Sequence, residues 1–187
     1  MTHILIAEDG PTLMALAGAG APYQGVLYAG LMVAPDGAPS VVEFNCRFGD
    51  PEAQVVLPVA DLDLGAQLWS IAAGESWRGP SRAPARRAAV TTVVAAAGYP
   101  GTPEKGAPIP PLPPPSEEGI VFHAGTARAA DGTLRAAGGR VLCATGFGST
   151  VAAAAVVSRG LADRVCFPGA QYRRDIAWRE IGRAGAS

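Results

Sequence analysis

Short apolar runs separated by turn signals predict antiparallel strands in the first part of the chain. Residues 25–33 are largely apolar, residues 34–40 contain the pair Asp36-Gly37, and residues 41–47 return with alternating polar and apolar positions. An Asp-Gly pair between two strand-like runs is a strong hairpin signal. A β-hairpin with a somewhat long loop is therefore predicted. A further apolar run at residues 4–7 fits either a strand or an artefact of the start site.

Helix signals flank this hairpin. Apolar positions on one face, a proline at the start and glycines at the end predict a helix over residues 11–20. After the hairpin, Asp50 is placed to cap a helix over residues 51–57, which Pro51 opens and Pro58 interrupts. Asp61 is placed to cap another helix that ends at Gly74. Residues 79–84 then read as a linker, and we place a domain boundary there.

The second half of the chain reads as mainly β. Apolar, β-branched runs predict strands over residues 87–97, 120–127 and 141–146, with glycine-containing turns between them. Ser149 or Thr150 is placed to cap a helix that runs to about residue 162. The pattern as a whole predicts an α+β chain with antiparallel sheets.

Composition and charge exclude several functional classes. The chain has 187 residues, with 15 basic and 16 acidic side chains, so it lacks the basic surplus typical of nucleic-acid-binding proteins. No apolar run is long enough to predict a membrane span. The three cysteines are widely spaced, no CxxC pair exists and no secretory leader opens the chain, which favours a cytoplasmic location. The two histidines are far apart in the sequence, which argues against a zinc site.

The returning strand of the hairpin carries the strongest candidate chemistry. Glu43, Asn45 and Arg47 alternate, so an extended strand presents them on one face. The two oxygen-bearing side chains can hold a hard cation such as Mg²⁺, and the guanidinium can bind a phosphate that the cation bridges. The alternative is a plain solvent-facing strand face. The remaining positions are left for the opposite face, where we expect a core: Val41, Val42, Phe44 and Cys46.

A longer string of motifs resembles a known family. Residues 47–54 read RFGDPEAQ, and further motifs follow in order: GYPGTPEKG at 98–106, VFHAGT at 121–126, GGRVL at 138–142 and QYRRDI at 171–176. Together they resemble phosphoribosylamine–glycine ligase, also called glycinamide ribonucleotide synthetase, of the ATP-grasp superfamily. The resemblance covers roughly residues 11–183. Several ordered motifs are more specific than a single short one.

The resemblance implies an activity and a set of site residues. Members of the family join glycine to 5-phosphoribosylamine at the expense of ATP, through a glycyl phosphate intermediate, in de novo purine biosynthesis. ATP is then a co-substrate, and Mg²⁺ or Mn²⁺ the metal. Glu43 and Asn45 match the family's metal ligands, and Arg47 stands where a contact to phosphate or acyl phosphate is expected. Asp50 matches a partner for the glycine ammonium group, and a helix cap is an equal alternative.

The resemblance also implies a domain organisation. Residues 11–80 resemble the C-terminal part of the ATP-grasp domain, and residues 85–187 resemble the family's small, antiparallel, barrel-like C-terminal domain. Residues 1–10 match nothing expected at that place. We expect the adenine pocket and the phosphate loop to lie outside this sequence, so that the chain alone binds Mg-ATP weakly or not at all. Three interpretations remain: part of a ligase, a non-catalytic fragment that docks on a separately encoded N-terminal half, or a non-functional remnant.

Overall fold

The computed structural model describes residues 2–6, 10–34, 36–75, 85 and 87–184. It is an α+β structure whose paired strands are all antiparallel in the described part of the chain. In chain order its elements are β1 (Thr2–Ile6), α1 (Gly10–Gly18), β2 (Leu27–Val33), β3 (Pro39–Asn45), α2 (Ala53–Val56), α3 (Leu64–Ala72), β4 (Ala88–Ala95), β5 (Gly119–His123), β6 (Thr126–Arg128), β7 (Leu134–Ala136), β8 (Arg140–Gly148), α4 (Val151–Arg164) and α5 (Trp178–Ala184).

The chain divides into two compact units. Unit 1 comprises residues 1–53 and 61–83, and unit 2 comprises residues 54–60 and 84–187. The linker predicted over residues 79–84 lies outside the described residues. No helix in the described part of the chain is long and apolar enough to cross a membrane.

Unit 1 contains a three-stranded sheet in the order β1-β2-β3. The predicted hairpin is present: Val33 pairs with Pro39, and the turn between them contains Gly37 at a φ of 88°. That positive φ is the left-handed region, which glycine occupies without a steric penalty. The apolar run at residues 4–7 is part of a strand as far as Ile6, because β1 pairs with β2 from Ile6↔Leu27 to Thr2↔Leu31.

A β-bulge interrupts the pairing of β2 with β3. Gly30 pairs with Glu43 and Leu31 pairs with Val41, so Val42 is an extra residue on β3. An extra residue resets the alternation of the strand. Consequently Val41 and Val42 both fall on the face of Phe44, and Glu43 and Asn45 keep the opposite face.

Two helices predicted after the hairpin differ from those in the structure. The helix predicted over residues 51–57 is the single turn α2, which begins at Ala53 after a cis Asp50–Pro51 peptide bond. The next helix, α3, begins at Leu64, and its cap is Asp63 rather than Asp61, since the Asp63 carboxylate accepts the backbone N–H of Ala66 at 2.9 Å. Aspartate is a common capping residue, so both Asp61 and Asp63 are candidates. Only Asp63 lies three residues before Ala66, at the spacing that a capping side chain requires.

Unit 2 is built on β8, the central strand of the sheet β4-β8-β5. Helix α4 packs on this sheet, and Thr150 caps it by accepting the Ala153 N–H at 3.1 Å. Buried side chains of β4, β8, α4 and the segment after it form the core: Val94, Val141, Leu142, Ala144, Ala162, Val165 and Phe167. The strand predicted over residues 120–127 is two strands, β5 and β6, because the backbone turns at Ala124 and Gly125. Strand β7 was not predicted.

A buried hydroxyl chain fixes α4 on the sheet. Ser158 donates its hydroxyl proton to the carbonyl of Ala144 at 2.8 Å, and the Thr92 hydroxyl lies 2.7 Å from the Ser158 oxygen. Both side chains are almost fully buried. Because a buried polar group is costly unless it is hydrogen-bonded, these contacts specify one alignment of helix and sheet.

An exposed ionic cluster connects the end of α4 to the segment that precedes α5. Asp163 accepts hydrogen bonds from the Tyr172 hydroxyl and from Arg174, the latter at 2.8 Å. The hydrogen bond from Tyr172, followed by that from Arg174, lowers the pKa of Asp163 below its usual 3.8. A lowered pKa in the folded state stabilises the fold above the unfolded-state value, and the stabilisation is lost as the pH falls through the folded-state value.

We expect Asp163→Asn to lower the melting temperature at pH 7, and we expect the difference from the wild-type chain to shrink as the pH falls through the lowered pKa of Asp163 and the carboxylate takes up a proton. Thermal melts from pH 7 into the acid range measure the difference. In a carbon-detected NMR titration, Tyr172→Phe should raise the pKa of Asp163, because it removes the larger of the two hydrogen-bond contributions. An Asp163 pKa that is unchanged in Tyr172→Phe would contradict this account.

Candidate metal and phosphate site

The candidate site lies on the face of β2 and β3 that carries Glu43 and Asn45. Glu43 pairs with Gly30, and Asn45 pairs with Tyr28. Tyr28 is only 4% exposed, Asn45 is half-buried and Glu43 is exposed. Side chains two residues apart on a strand point to the same side, so the two predicted oxygen donors share this face.

Gly30 determines where the Glu43 side chain lies. A Cβ atom at residue 30 would be 3.1 Å from Cγ of Glu43 and 3.7 Å from Oε1. The Glu43 side chain therefore lies across the backbone of β2, in space that any other residue at position 30 would occupy. A glycine inside a strand often marks such a close approach.

Two further predicted site residues follow the end of β3. Arg47 and Asp50 are both exposed. One guanidinium nitrogen of Arg47 donates to the Phe48 carbonyl at 2.8 Å, which leaves other donors of its five N–H groups for an anion. The first N–H of α2, that of Ala53, donates to the Gly49 carbonyl at 2.9 Å. Asp50 is separated from α2 by two residues, so it does not stand at the capping position.

The prediction that one face of β3 is buried in a core is wrong. Cys46 is exposed, and Val42 and Phe44 are 55% and 45% exposed. Val41, on the same face, is 56% exposed. The alternation was interpreted correctly as two distinct faces. The apolar side chains of this face are exposed because no element among the described residues of unit 1 covers the β3 end of the face.

Glu52 follows Pro51, at the start of the helix predicted over residues 51–57, and was not among the predicted site residues. Its carboxylate lies against Gly49, where a Cβ atom would be 2.5 Å from Oε2. Burial raises the pKa of Tyr28 to about 12, and the negative charges of Glu52 and Glu43 add to the rise. Gly30 and Gly49 are the sequence signals for these two close approaches.

The donor set fits a hard divalent cation. A carboxylate and an amide oxygen are ligands that Mg²⁺ takes, and Mg²⁺ usually keeps several waters and binds substrate phosphates in addition. Among the described residues, no three His, Cys, Asp or Glu side chains are grouped closely enough to hold a metal ion by themselves. The arrangement is thus suited to a cation that is bound partly by these side chains and partly by the phosphate groups of a substrate.

His123 belongs to unit 2, at the end of β5. Its Nδ1 lies 3.0 Å from the hydroxyl of Thr126, three residues further along the chain. The ring borders a cavity of about 460 Å³ together with Arg128 and the proline-rich segment at Pro110 and Pro111. The Arg128 guanidinium donates to the Gly132 carbonyl at 2.9 Å.

Two family models match the chain. The model described as phosphoribosylglycinamide synthetase, ATP-grasp (A) domain, matches residues 4–53, and the model described as phosphoribosylglycinamide synthetase, C domain, matches residues 89–179. The chain belongs to the phosphoribosylglycinamide synthetase family. The first match begins inside residues 1–10, for which the motifs gave no counterpart.

Named relatives agree with this assignment. The chain is 44% identical over 179 residues to phosphoribosylamine–glycine ligase of Ralstonia nicotianae, covering 92% of the chain and 40% of that protein. It is 43% identical over 182 residues to the ligase of the same name from Agrobacterium fabrum, covering 94% and 41%. The chain therefore spans about two fifths of the length of the curated relatives that it matches.

Solved structures show the same relationship. The crystal structure of phosphoribosylamine–glycine ligase from Thermotoga maritima superposes with a TM-score of 0.75 at 41% identity, over 88% of this chain and 40% of that one. The biotin carboxylase domain of a thermophilic 2-oxoglutarate carboxylase superposes with a TM-score of 0.59 at 15% identity. The latter likeness concerns the fold alone.

Proposed function

We propose that this chain supplies the metal-binding strand pair and the C-terminal domain of a phosphoribosylamine–glycine ligase of the cytoplasm. The observation that carries the proposal is the order of the two family matches, at residues 4–53 and 89–179, with Glu43 and Asn45 on one strand face inside the first. In this proposal residues 11–80 belong to the ATP-grasp domain and residues 85–187 to the C-terminal domain.

The proposed reaction joins two substrates at the expense of ATP. The glycine carboxylate takes the terminal phosphoryl group of ATP and becomes glycyl phosphate. The amine of 5-phosphoribosylamine then attacks the acyl carbon, and phosphate leaves, which gives glycinamide ribonucleotide, ADP and phosphate as products. A carboxylate is a poor electrophile, and phosphorylation provides it with a leaving group.

Each residue of the site has a role in this proposal. Glu43 and Asn45 hold Mg²⁺ or Mn²⁺, a cation that would neutralise charge on the phosphates of ATP. Arg47 binds a phosphate or acyl-phosphate oxygen through the guanidinium N–H groups that Phe48 does not use. Asp50, exposed three residues after Arg47, pairs with the ammonium group of glycine.

The barrel-like form of the C-terminal domain is part of the proposal. The described sheets of unit 2 are open, with three and two strands. Hydrogen bonds outside the named strands extend both of them: residues 95 and 171 bond reciprocally, residues 106–109 bond to β7, and Gly125 bonds to Arg140 at 2.8 Å. These contacts support a nearly continuous antiparallel wall around the core.

The test is a ligase assay with ATP, Mg²⁺, glycine and freshly generated phosphoribosylamine, in which ADP release is followed. The full chain is assayed alone and after mixing with a separately expressed N-terminal portion of a family member. We expect turnover on mixing and none from the chain alone. If circular dichroism shows that the chain is folded and neither assay releases ADP, the proposal is contradicted.

The alternative, a non-catalytic fragment that docks on an N-terminal half, also has an observation in its favour. Val41, Val42 and Phe44 form an exposed apolar strip on β3, and such strips commonly mark surfaces covered by other protein. Complex formation on mixing, without ADP release, would favour this alternative.

Gly30→Ala tests the position of the Glu43 side chain with measurements that do not depend on ligase activity. The new methyl group meets the flexible Cγ of Glu43, so we expect the free energy of unfolding to change by less than about 1 kcal/mol. The displaced carboxylate should nevertheless weaken uptake of Mn²⁺ by the chain. Thermal melts and a Mn²⁺ titration measure the two effects, with Gly18→Ala as the control, since no atom lies within 4 Å of a Cβ there. Equal Mn²⁺ uptake by both variants would contradict the prediction.

A further inference from the structure

The cavity of about 460 Å³ in unit 2 is lined by the proline-rich segment at residues 108–115 and by the hairpin of β6 and β7. The residues assigned to the ligase reaction do not line it. Its apolar wall consists of five residues: Ile109, Pro110, Pro111, Leu112 and Leu134. Ile109 is buried and Pro111 is exposed, so this wall runs from the core to the surface. A cavity of this size with a largely apolar lining falls in the range of small-molecule sites.

Backbone hydrogen bonds to β7 hold the apolar wall in place. The Ile109 N–H donates to the Leu134 carbonyl at 2.8 Å, and the Ala136 N–H donates to the Ala107 carbonyl at 2.9 Å. The two prolines that follow Ile109 have a fixed φ angle and no N–H group, so they stiffen the wall without adding a donor to it. A ligand would therefore meet a preformed surface, which lowers the entropy cost of binding.

The polar lining of the cavity carries positive charge and hydrogen-bond donors. The Arg128 guanidinium donates from one nitrogen to the Gly132 carbonyl at 2.9 Å, which holds the side chain beside the cavity and leaves further N–H groups for a ligand. Nδ1 of His123 lies 3.0 Å from the Thr126 hydroxyl, so Nε2 is the ring nitrogen left for a ligand. Thr133 completes this lining. The described residues that line the cavity include no acidic side chain, so the cavity favours an anion.

The acidic residue of the same hairpin, Asp131, is engaged elsewhere. Its carboxylate accepts the Thr133 N–H at 2.8 Å and forms an ion pair with Arg135 at 3.6 Å. The charge of Asp131 is thus matched by Arg135, and the charge of Arg128 is left for a ligand.

We propose that this cavity binds a phosphate monoester whose remaining part is aromatic or apolar. Arg128 holds the phosphate, since a guanidinium donates to two oxygens at once. His123 and Thr133 donate to the remaining oxygen, and the body of the ligand lies against the proline-rich wall. A phosphate offers three strong acceptor oxygens and a carboxylate only two, which suits donors from three side chains. The inference rests on unit 2 alone and does not depend on the proposed ligase reaction.

An NMR titration of the full chain with phenyl phosphate, followed at the backbone amides of Gly132 and Leu134, tests the proposal. We expect a dissociation constant of about 1 mM, which ligands of this size reach in a favourable cavity. Arg128→Gln should weaken binding about tenfold, because it removes the charge-assisted hydrogen bonds, and His123→Gln should weaken it several-fold. Arg164→Gln, which removes an exposed arginine at the end of α4, is the matched control and should leave binding unchanged.

The choice of probe separates the two parts of the cavity. Inorganic phosphate should bind about tenfold more weakly than phenyl phosphate, since it leaves the apolar wall uncovered. Leu112→Ala should weaken the binding of phenyl phosphate about threefold and leave that of inorganic phosphate unchanged. Ribose 5-phosphate has a polar body and benzoate has a carboxylate, so both should bind more weakly than phenyl phosphate. If either of them binds as tightly as phenyl phosphate, the proposed ligand class is wrong.

Three further outcomes overturn the inference: no saturable shift at these amides, equal affinities for inorganic and phenyl phosphate, or equal binding by Arg128→Gln and Arg164→Gln. If Arg128→Gln loses the dispersed amide spectrum of a folded chain, Arg128→Lys takes its place. That variant keeps the charge and loses the contact to two oxygens, so it should still weaken binding. None of these measurements requires Mg²⁺ or turnover, so a negative result leaves the proposed function unaffected.

Discussion

Gly146→Ala is expected to destabilise unit 2 by about 3 kcal/mol or more, the largest effect on stability that we predict for a single methyl group in this chain. Gly146 lies on β8, directly beneath α4. A Cβ atom there would be 2.3 Å from the backbone nitrogen of Ser158 and 2.5 Å from the carbonyl oxygen of Ala154. Both neighbours are helix backbone atoms, which cannot move aside without a shift of the whole helix.

The shift would also break the buried hydroxyl chain of Thr92, Ser158 and Ala144, because its hydrogen bonds of 2.7 and 2.8 Å depend on the present distance between helix and sheet. Urea denaturation of the full chain measures the loss. Gly160→Ala is the matched control, since Gly160 is an exposed residue of the same helix with no atom within 4 Å of a Cβ. That substitution should stabilise the helix by up to about 1 kcal/mol. Similar stabilities for the two variants would show that α4 does not pack on β8 as described.

Hairpin and helix signals in this sequence were informative because they act locally. Asp36-Gly37 determined the turn between β2 and β3, and the Thr150 hydroxyl determined the start of α4. These features need only a few neighbouring residues. The family motifs extended the prediction to the face that carries Glu43 and Asn45.

Features that depend on partners distant in sequence were not predicted. The bulge at Val42 is a property of the pairing with β2, and β3 alone gives no sign of it. The exposure of Cys46 and Phe44 depends on what covers the sheet, which alternation cannot show. The close approach of Glu52 to Gly49 depends on how the loop after β3 folds, which the spacing of the two residues in the sequence does not indicate.

Glu43→Ala should abolish most of the ligase activity recovered when the chain is mixed with an N-terminal portion of a family member, with a fall in turnover of about 100-fold or more. A cation that neutralises developing charge on transferred phosphate contributes several kcal/mol, and each 1.4 kcal/mol corresponds to a factor of ten in rate. Glu43 is the carboxylate that the bulged strand and Gly30 hold on the site face. Its loss leaves Asn45 as the remaining strand ligand.

The fold should tolerate this change, because Glu43 is exposed and lies on an outer strand of its sheet. Equal melting temperatures for Glu43→Ala and the wild-type chain would therefore assign the lost turnover to the site. Ser40→Ala is the control on the same strand, since its partner Met32 lies on the far side of the bulge from Gly30. We expect that variant to keep full turnover in the mixed assay. Undiminished turnover in Glu43→Ala would show that the cation is held elsewhere, and would remove the role proposed for this strand face.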